Sequence, residues 1–236
     1  MQVEIWSDVV CPWCAIGKAR FDRALAGFEH RDRVEVRFRS FELDPDAPPR
    51  RPGSYVDHLA AKYGTSAAEA QTMIDRVVAT ANDDGLELRF DRAQPGNTFD
   101  AHRLLHLAAD RGVQPTAKAV LLDAHFTRGL PIGDRDTLVT LGTEVGLDAD
   151  EVARVLDGDT YADAVRADEQ QAAGFGIRGV PFFVLDRTYA VSGAQPVEVL
   201  ESALAQAWQA RQQLPMVPAI GASGGGGCAD GSCACG

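Results

Sequence analysis

Gln2-Val3-Glu4-Ile5-Trp6-Ser7-Asp8-Val9-Val10-Cys11-Pro12-Trp13-Cys14 carries a structural and a chemical signal together. From Gln2 to Asp8 the side chains alternate with a period near two, which predicts a strand. From Ala15 to Phe28 the apolar residues Ile16, Ala19, Phe21, Ala24, Leu25 and Phe28 recur at helical spacing, which predicts an amphipathic helix. Pro12 suits the first helical position, where a missing N–H is no loss. Cys11 therefore falls where a strand gives way to a helix. Unpaired amides and the positive end of the helix dipole favour an anion there, and the thiolate is the reactive form of cysteine. Cys14 lies one turn further on, so its sulfur can return toward Cys11 and close a short disulfide. The pattern predicts a thiol–disulfide centre, with Cys11 as nucleophile and Cys14 as resolving thiol. The alternatives are two structural cysteines, or half of a zinc site completed from elsewhere in the chain.

Composition limits the rest. The chain has 236 residues, 45% hydrophobic and 24% charged, as expected of a soluble globular protein with material for a sizeable core. Its formal net charge of -11 argues against nucleic acid or an anionic membrane surface as a partner. No apolar run reaches the roughly 18–20 residues that span a bilayer. Met1-Gln2-Val3-Glu4 has no basic segment and leads straight into the first strand, so a cytoplasmic location is expected. In that reducing compartment a cysteine pair is more often catalytic or metal-binding than structural. The five cysteines stand at 11, 14, 228, 233 and 235, two clusters at opposite ends of the sequence.

Beyond the first helix, Val34–Phe41 alternates and predicts a second strand, and Asp44-Pro45-Asp46-Ala47-Pro48-Pro49 breaks regular structure. Helices are predicted near 54–63, 66–83, 98–111, 115–128, 134–146, 149–156 and 159–174, punctuated by capping residues and glycines. Strand character returns at Val180–Leu185, turns at Asp186-Arg187 and continues through Tyr189-Ala190-Val191; Pro196 opens a last helix to about Gln213. Gly221–Gly227 reads as a flexible tether that carries Cys228, Cys233 and Cys235. Removing the helical block leaves β-α-β…β-β-α, an α/β core. A C-x-x-C at the first strand–helix junction of such a core is a thioredoxin-like arrangement. The expected organisation is a thioredoxin-like domain from 1–44 and 175–213, a helical insertion over 45–174, and a tail over 214–236.

Four segments resemble a known family: Ser7–Cys14, Asn97-Thr98-Phe99-Asp100-Ala101-His102-Arg103, Gly179-Val180-Pro181-Phe182-Phe183 and Ser192-Gly193-Ala194-Gln195. Over residues 3–212 the chain resembles the DsbA-like branch of the thioredoxin superfamily. It looks most like FrnE-type oxidoreductases and, more distantly, 2-hydroxychromene-2-carboxylate isomerases and kappa-class glutathione transferases. The resemblance implies an α/β thioredoxin-like fold with a large helical insertion and a cis proline at Pro181 facing Cys11-Pro12-Trp13-Cys14. It also implies a groove walled by Pro12, Trp13, Val180, Pro181, Asn97, Thr98, His102 and Gln195. The isomerase and transferase relatives carry serine at the first cysteine, so the intact pair favours redox chemistry. The implied partners are disulfide or thiol proteins, and no bound cofactor, metal, nucleic acid or membrane is expected; the alternatives are an isomerase or transferase with glutathione as cosubstrate, and a metal-binding or chaperone-like protein using both cysteine clusters.

The remaining candidates each keep more than one reading. His102 and His106 stand four apart on one predicted helix, either as packed or solvated histidines or as metal ligands lacking an H-E-x-x-H pattern. Asp8 either tunes the proton of Cys11 or is a surface aspartate. Gln195 either lines the cleft or belongs to a plain turn before the last helix. The tail cysteines exchange disulfides with Cys11 and Cys14, at the raised effective concentration a tether confers, or bind a soft metal, or are idle.

Overall fold

The computed structural model describes residues 1–212; the readings placed on Cys228, Cys233 and Cys235 lie outside the described residues. The elements are β1 (Gln2–Ser7), α1 (Pro12–Gly27), a short 3-10 turn (Arg31–Arg33) and β2 (Glu35–Ser40). There follow α2 (Tyr55–Tyr63), α3 (Ala67–Asp83), α4 (Phe99–Asp110), α5 (Gln114–Phe126), α6 (Arg135–Glu144), α7 (Ala149–Asp157) and α8 (Ala162–Gly174). The chain then forms β3 (Phe182–Leu185), β4 (Tyr189–Ser192) and α9 (Val197–Gln212). The sheet order is β2-β1-β3-β4, with β1 parallel to β2 and antiparallel to β3, and β4 antiparallel to β3.

Both faces of this sheet are covered, and the period-two pattern of β1 says which residue meets which layer. Val3 and Ile5 pack with Phe21 and Ala24 of α1, Phe183 and Leu185 of β3, and Leu200 and Leu204 of α9. The alternate residue Trp6 packs with Ala172, Ile177 and Val184. Glu4 also points to that second layer and is buried, because Arg39 at 2.5 Å and Arg187 at 2.9 Å hold its carboxylate. Polar alternation in β1 thus marks a buried ion-pair layer rather than a solvent face.

The helical block joins the core at several points. Val9 lies in a cluster with Leu104, Leu107, Leu121 and Leu138, while Ala15 and Ile16 of α1 pack with Ile74, Phe90 and Phe126. Starts of several helices follow the local chemistry: Ser66 and Glu69 form a capping box at α3, and Asp134 and Asp148 cap α6 and α7 with their carboxylates.

Two of the boundaries that move from those the sequence predicts have a local cause. The third strand starts at Phe182 rather than Val180, since Pro181 has no N–H to give. The helix expected from 159 starts at Ala162, because Tyr161 sits at φ 66, a left-handed conformation outside a helix. Among the described residues, no helix is long and apolar enough to cross a membrane.

Candidate active site

Cys11 caps α1, and Pro12 fills its first turn. Cys11 O accepts hydrogen bonds from the N–H groups of Cys14 at 3.0 Å and Ala15 at 3.2 Å, which turns the two sulfurs toward one another. Both are free thiols and both are buried. The Cys11 thiol also lies 3.6 Å from the carbonyl oxygen of Val180, the residue before the cis proline. Pro181 presses on α1: a Cβ placed on Gly17 would stand 2.7 Å from its Cγ, so only glycine fits there.

Above this centre opens a cavity of about 830 Å³ between α1, the loop after β2 and the helices α2 and α3. Cys11, Pro12, Trp13 and Val180 line it; Cys14 does not. Trp13 is 42% exposed at its edge, an uncommon place for so large an apolar ring. Tyr55, Leu59, Ile74 and Phe90 make its apolar wall, and Arg51, Lys62 and Arg76 stand around it.

Beneath the cysteines lies a buried polar cluster. Asp8 is fully buried, accepting from the N–H of Val9 at 2.7 Å and of Leu43 at 2.8 Å, with His102 Nε2 3.4 Å from its Oδ1. Lys118, on α5, is also fully buried, and its Nζ donates to Ser7 O at 3.2 Å. Burial pushes its amine down to about 8, against the attraction of Cys14, Asp8 and Cys11, which work to raise it. Burial likewise opposes the charge on Asp8. The hydrogen bond and charge of His102, the Leu43 N–H and the charge of Lys118 outweigh it and hold the carboxyl below its usual range.

The two thiols titrate as one unit. Burial opposes ionisation of Cys14, yet the hydrogen bond from the Cys11 thiol, the charge of Lys118, the Ser7 hydroxyl and the Asp8 N–H pull it down. Cys11 is pushed well up by its hydrogen bond to Cys14, then by burial and the charges of Cys14 and Asp8; only the Cys14 N–H works the other way. The helix-start argument places the resting anion on Cys11. In the structure Cys14 collects the donors while Cys11 faces a carbonyl oxygen.

A pair of buried free cysteines one turn apart, a cis proline beside it and helices inserted into a four-stranded mixed sheet meet here in one chain. A sequence model of the DSBA-like thioredoxin domain matches residues 2–205. The chain belongs to that family.

Its similarity extends to particular proteins. The probable DsbA oxidoreductase SCO1869 of Streptomyces coelicolor superposes with a TM-score of 0.86 at 50% identity, covering 93% of this chain and 94% of that one. The uncharacterized protein YwbO of Bacillus subtilis is 30% identical over 206 residues, 86% of this chain and 96% of its own length. The cytosolic disulfide reductase DsbM of Pseudomonas aeruginosa, solved with GSH, shares the fold at a TM-score of 0.63 and 18% identity, covering 89% of this chain and 100% of that one.

Within this DSBA-like domain the expected groove residues part company. Pro12, Trp13, Val180 and Thr98 line the cavity, and Pro181 stands behind Val180 against Gly17. Asn97 does not reach the wall, a correction to the expected groove: its side chain is used locally, donating to Pro45 O at 3.1 Å and accepting from the Phe99 N–H at 2.8 Å. Gln195 is the second correction. It donates to Ser192 O at 2.8 Å within its own turn and does not line the cavity, as the plain-turn reading has it. His102 sits one layer behind the wall, against Asp8. His106 faces another aspartate, Asp168, so the two histidines do not converge on one metal; among the described residues no cluster of histidine, cysteine and acidic groups could hold one.

Three residues at the site escape the sequence reading: Gly17, Lys118 and His125. Lys118 left a trace as the lone charge in the apolar run Ala117–Leu122. Gly17 and His125 left none, because their roles depend on elements far away in the chain. His125 is fully buried near the cavity floor, and burial pushes its imidazole down to about 4, against the charge of Asp8.

Proposed function

We propose that this chain is a thiol–disulfide oxidoreductase in which Cys11 exchanges with a substrate and Cys14 resolves the mixed disulfide. The observation that carries the reading is the asymmetry of the pair: Cys11 opens on the cavity while Cys14 lies behind it among hydrogen-bond donors. A substrate disulfide entering beside Trp13 meets Cys11 first. The Cys11 proton passes along its hydrogen bond to Cys14, and the Cys11 thiolate attacks one substrate sulfur. The substrate S–S bond breaks, and the second sulfur leaves as a thiolate that takes a proton from water. Cys14 then attacks Cys11, its proton leaving with the first substrate sulfur as a thiol, and the Cys11–Cys14 disulfide remains. Two electrons have passed from the cysteine pair to the substrate. The reverse sequence oxidises a dithiol.

Protein disulfides are the proposed substrates, and the reaction needs no organic cofactor. Glutathione is the proposed small cosubstrate: the cavity is of small-ligand size, and basic side chains stand around it for its carboxylates. A cytoplasmic site of action, a shuttle role for Cys228, Cys233 and Cys235, and no role for nucleic acid or membrane belong to the same proposal. Insulin-disulfide reduction and isomerisation of a scrambled substrate, on wild type and Cys11→Ser, test it. Loss of both activities in the variant is expected; equal activity overturns the reading. Replacing Cys228 and Cys233 by serine should slow turnover of a protein disulfide, and an unchanged rate removes the shuttle.

A further inference from the structure

We propose that the mouth of the cavity docks an extended segment of a protein substrate, one with large apolar and acidic residues around its cysteine. The inference rests on the disulfide-exchange reading above and narrows its substrate.

Exposed apolar side chains gather at this opening. Among the described residues six large apolar side chains are exposed, and four of them, Trp13, Leu43, Tyr63 and Met73, line the cavity that holds Cys11. A side chain that lines a cavity and also meets bulk water stands at its mouth. The four come from different parts of the chain: the first turn of α1, the loop after β2, the end of α2 and the middle of α3. Single apolar residues scattered over a surface need no explanation, whereas a ring of them around a reactive thiol marks an interaction site. Aromatic residues and methionine are also the types enriched where proteins meet.

The charge at the mouth runs against that of the molecule. The chain carries -11, yet the cavity is lined by Arg51, Lys62 and Arg76 against Asp8 and Asp44. Asp44 is paired with Arg51, and Asp8 is buried and engaged by the N–H groups of Val9 and Leu43. Lys62 and Arg76 are exposed and form no ion pair among the described residues. Lys62 adjoins Tyr63, and Arg76 stands three residues from Met73 on the same face of α3. Each free cation thus lies beside an apolar rim residue. A segment that covers the rim with apolar side chains brings its carboxylates to these two cations, and unpaired positive charge there draws acidic chains in.

Access selects the form of the partner. Cys11 is 4% exposed within the cavity. A flat folded surface does not lower a disulfide into such a site; an extended chain does, laying its neighbouring side chains on the rim. Glutathione offers carboxylates to the cations but has no large apolar side chain to cover the rim. A second copy of this chain fits poorly, because a twofold contact sets the same patch on both sides and brings the same free cations together.

The test measures binding first and chemistry second, on the full chain. The probes are short fluorescent peptides with serine in place of the cysteine, so that no exchange occurs, read by anisotropy. The first has Phe and Leu beside the serine and Glu at both ends; the second replaces Glu by Lys; the third replaces Phe and Leu by Ser. The first should bind about tenfold or more tighter than either of the others at low salt. Its advantage over the Lys peptide should shrink at about 1 M salt, where charges are screened within about 3 Å. Lys62→Glu with Arg76→Glu should invert the charge preference, and Tyr63→Ser with Met73→Ser should weaken the first peptide about tenfold. All four side chains are exposed, so the variants should fold, which circular dichroism checks.

Equal binding of the three peptides overturns the proposal, as does a first peptide indifferent to both pairs of substitutions. Saturation by glutathione with no peptide bound overturns it in favour of a small ligand. Self-association that Tyr63→Ser with Met73→Ser abolishes, with no peptide bound, overturns it in favour of a second copy. With cysteine restored and oxidised in the peptides, single-turnover reduction should follow the same order as binding. Peptides that bind in this order while no disulfide is reduced sink the exchange reading and leave the docking surface standing.

Discussion

Two buried aspartate–histidine pairs flank α4 one turn apart, and their surroundings differ. Asp168 is saturated: Arg39 at 2.9 Å, the Ser40 N–H at 2.9 Å and His106 at 3.3 Å take its oxygens, and Arg39 carries on to Glu4. Asp8 has two backbone donors and a histidine with no other partner, beside a buried lysine and two exchangeable thiols. The same residue pair thus serves a closed network on the flank of the sheet and an open one beneath the cysteines. Completeness of hydrogen bonding, rather than residue type, separates the two networks.

The largest way to test this contrast is Arg39→Met. It removes the guanidinium that Glu4 and Asp168 share, leaving Glu4 only the half-exposed Arg187 and Asp168 only the Ser40 N–H and His106, and a loss of about 3 kcal/mol is expected in denaturant unfolding. The alkylation pH profile of the cysteines in the remaining folded protein should stay as in wild type. A changed profile would mean the two networks are one.

His125→Phe probes the open side. The His125 imidazole is pushed to about 4 in the folded state from an ordinary 6.5, so between those values the unfolded chain binds the extra proton. Wild-type stability should therefore fall as pH drops below 6.5, by about 2 kcal/mol at pH 5 from this residue. His125→Phe should be more resistant to acid, measured by urea unfolding at pH 5 and pH 8. The carboxylates Glu4, Asp8 and Asp168 act in a lower window: their depressed values contribute stability at neutrality that is lost only in stronger acid.

Lys118→Met should raise the titration of Cys14 through the lost positive charge. Iodoacetamide alkylation against pH reads it; no shift would remove Lys118 from the site. The smallest effect is expected from Arg187→Met. Arg187 is 53% exposed and leaves Glu4 still paired with Arg39, so a loss below about 1 kcal/mol is expected. A loss as large as that of Arg39→Met would show that the flank network depends on its exposed member.

Much of the frame was legible because it rests on short-range rules. A strand, a cysteine at a helix start and a proline inside the first turn are local statements about backbone and dipole, and β1 and α1 form where they place them. The helical block is legible for the same reason, through capping residues and helical spacing. Tyr161 was not, since its left-handed turn has no glycine to signal it. Asn97 and Gln195 look like groove residues by motif, but each satisfies its neighbours' backbone instead.

The sequence by itself determined that two cysteines one turn apart open a helix after a strand, within an α/β chain carrying a long helical insertion. Only the tertiary structure decided which sulfur opens on the cavity and which lies behind it among hydrogen-bond donors. That choice depends on Val180, Ser7, Asp8 and Lys118, brought together from β1, α5 and the segment before β3. Charge in a low-dielectric interior is set by the nearest few donors, and nearness across the chain is not written in any local pattern.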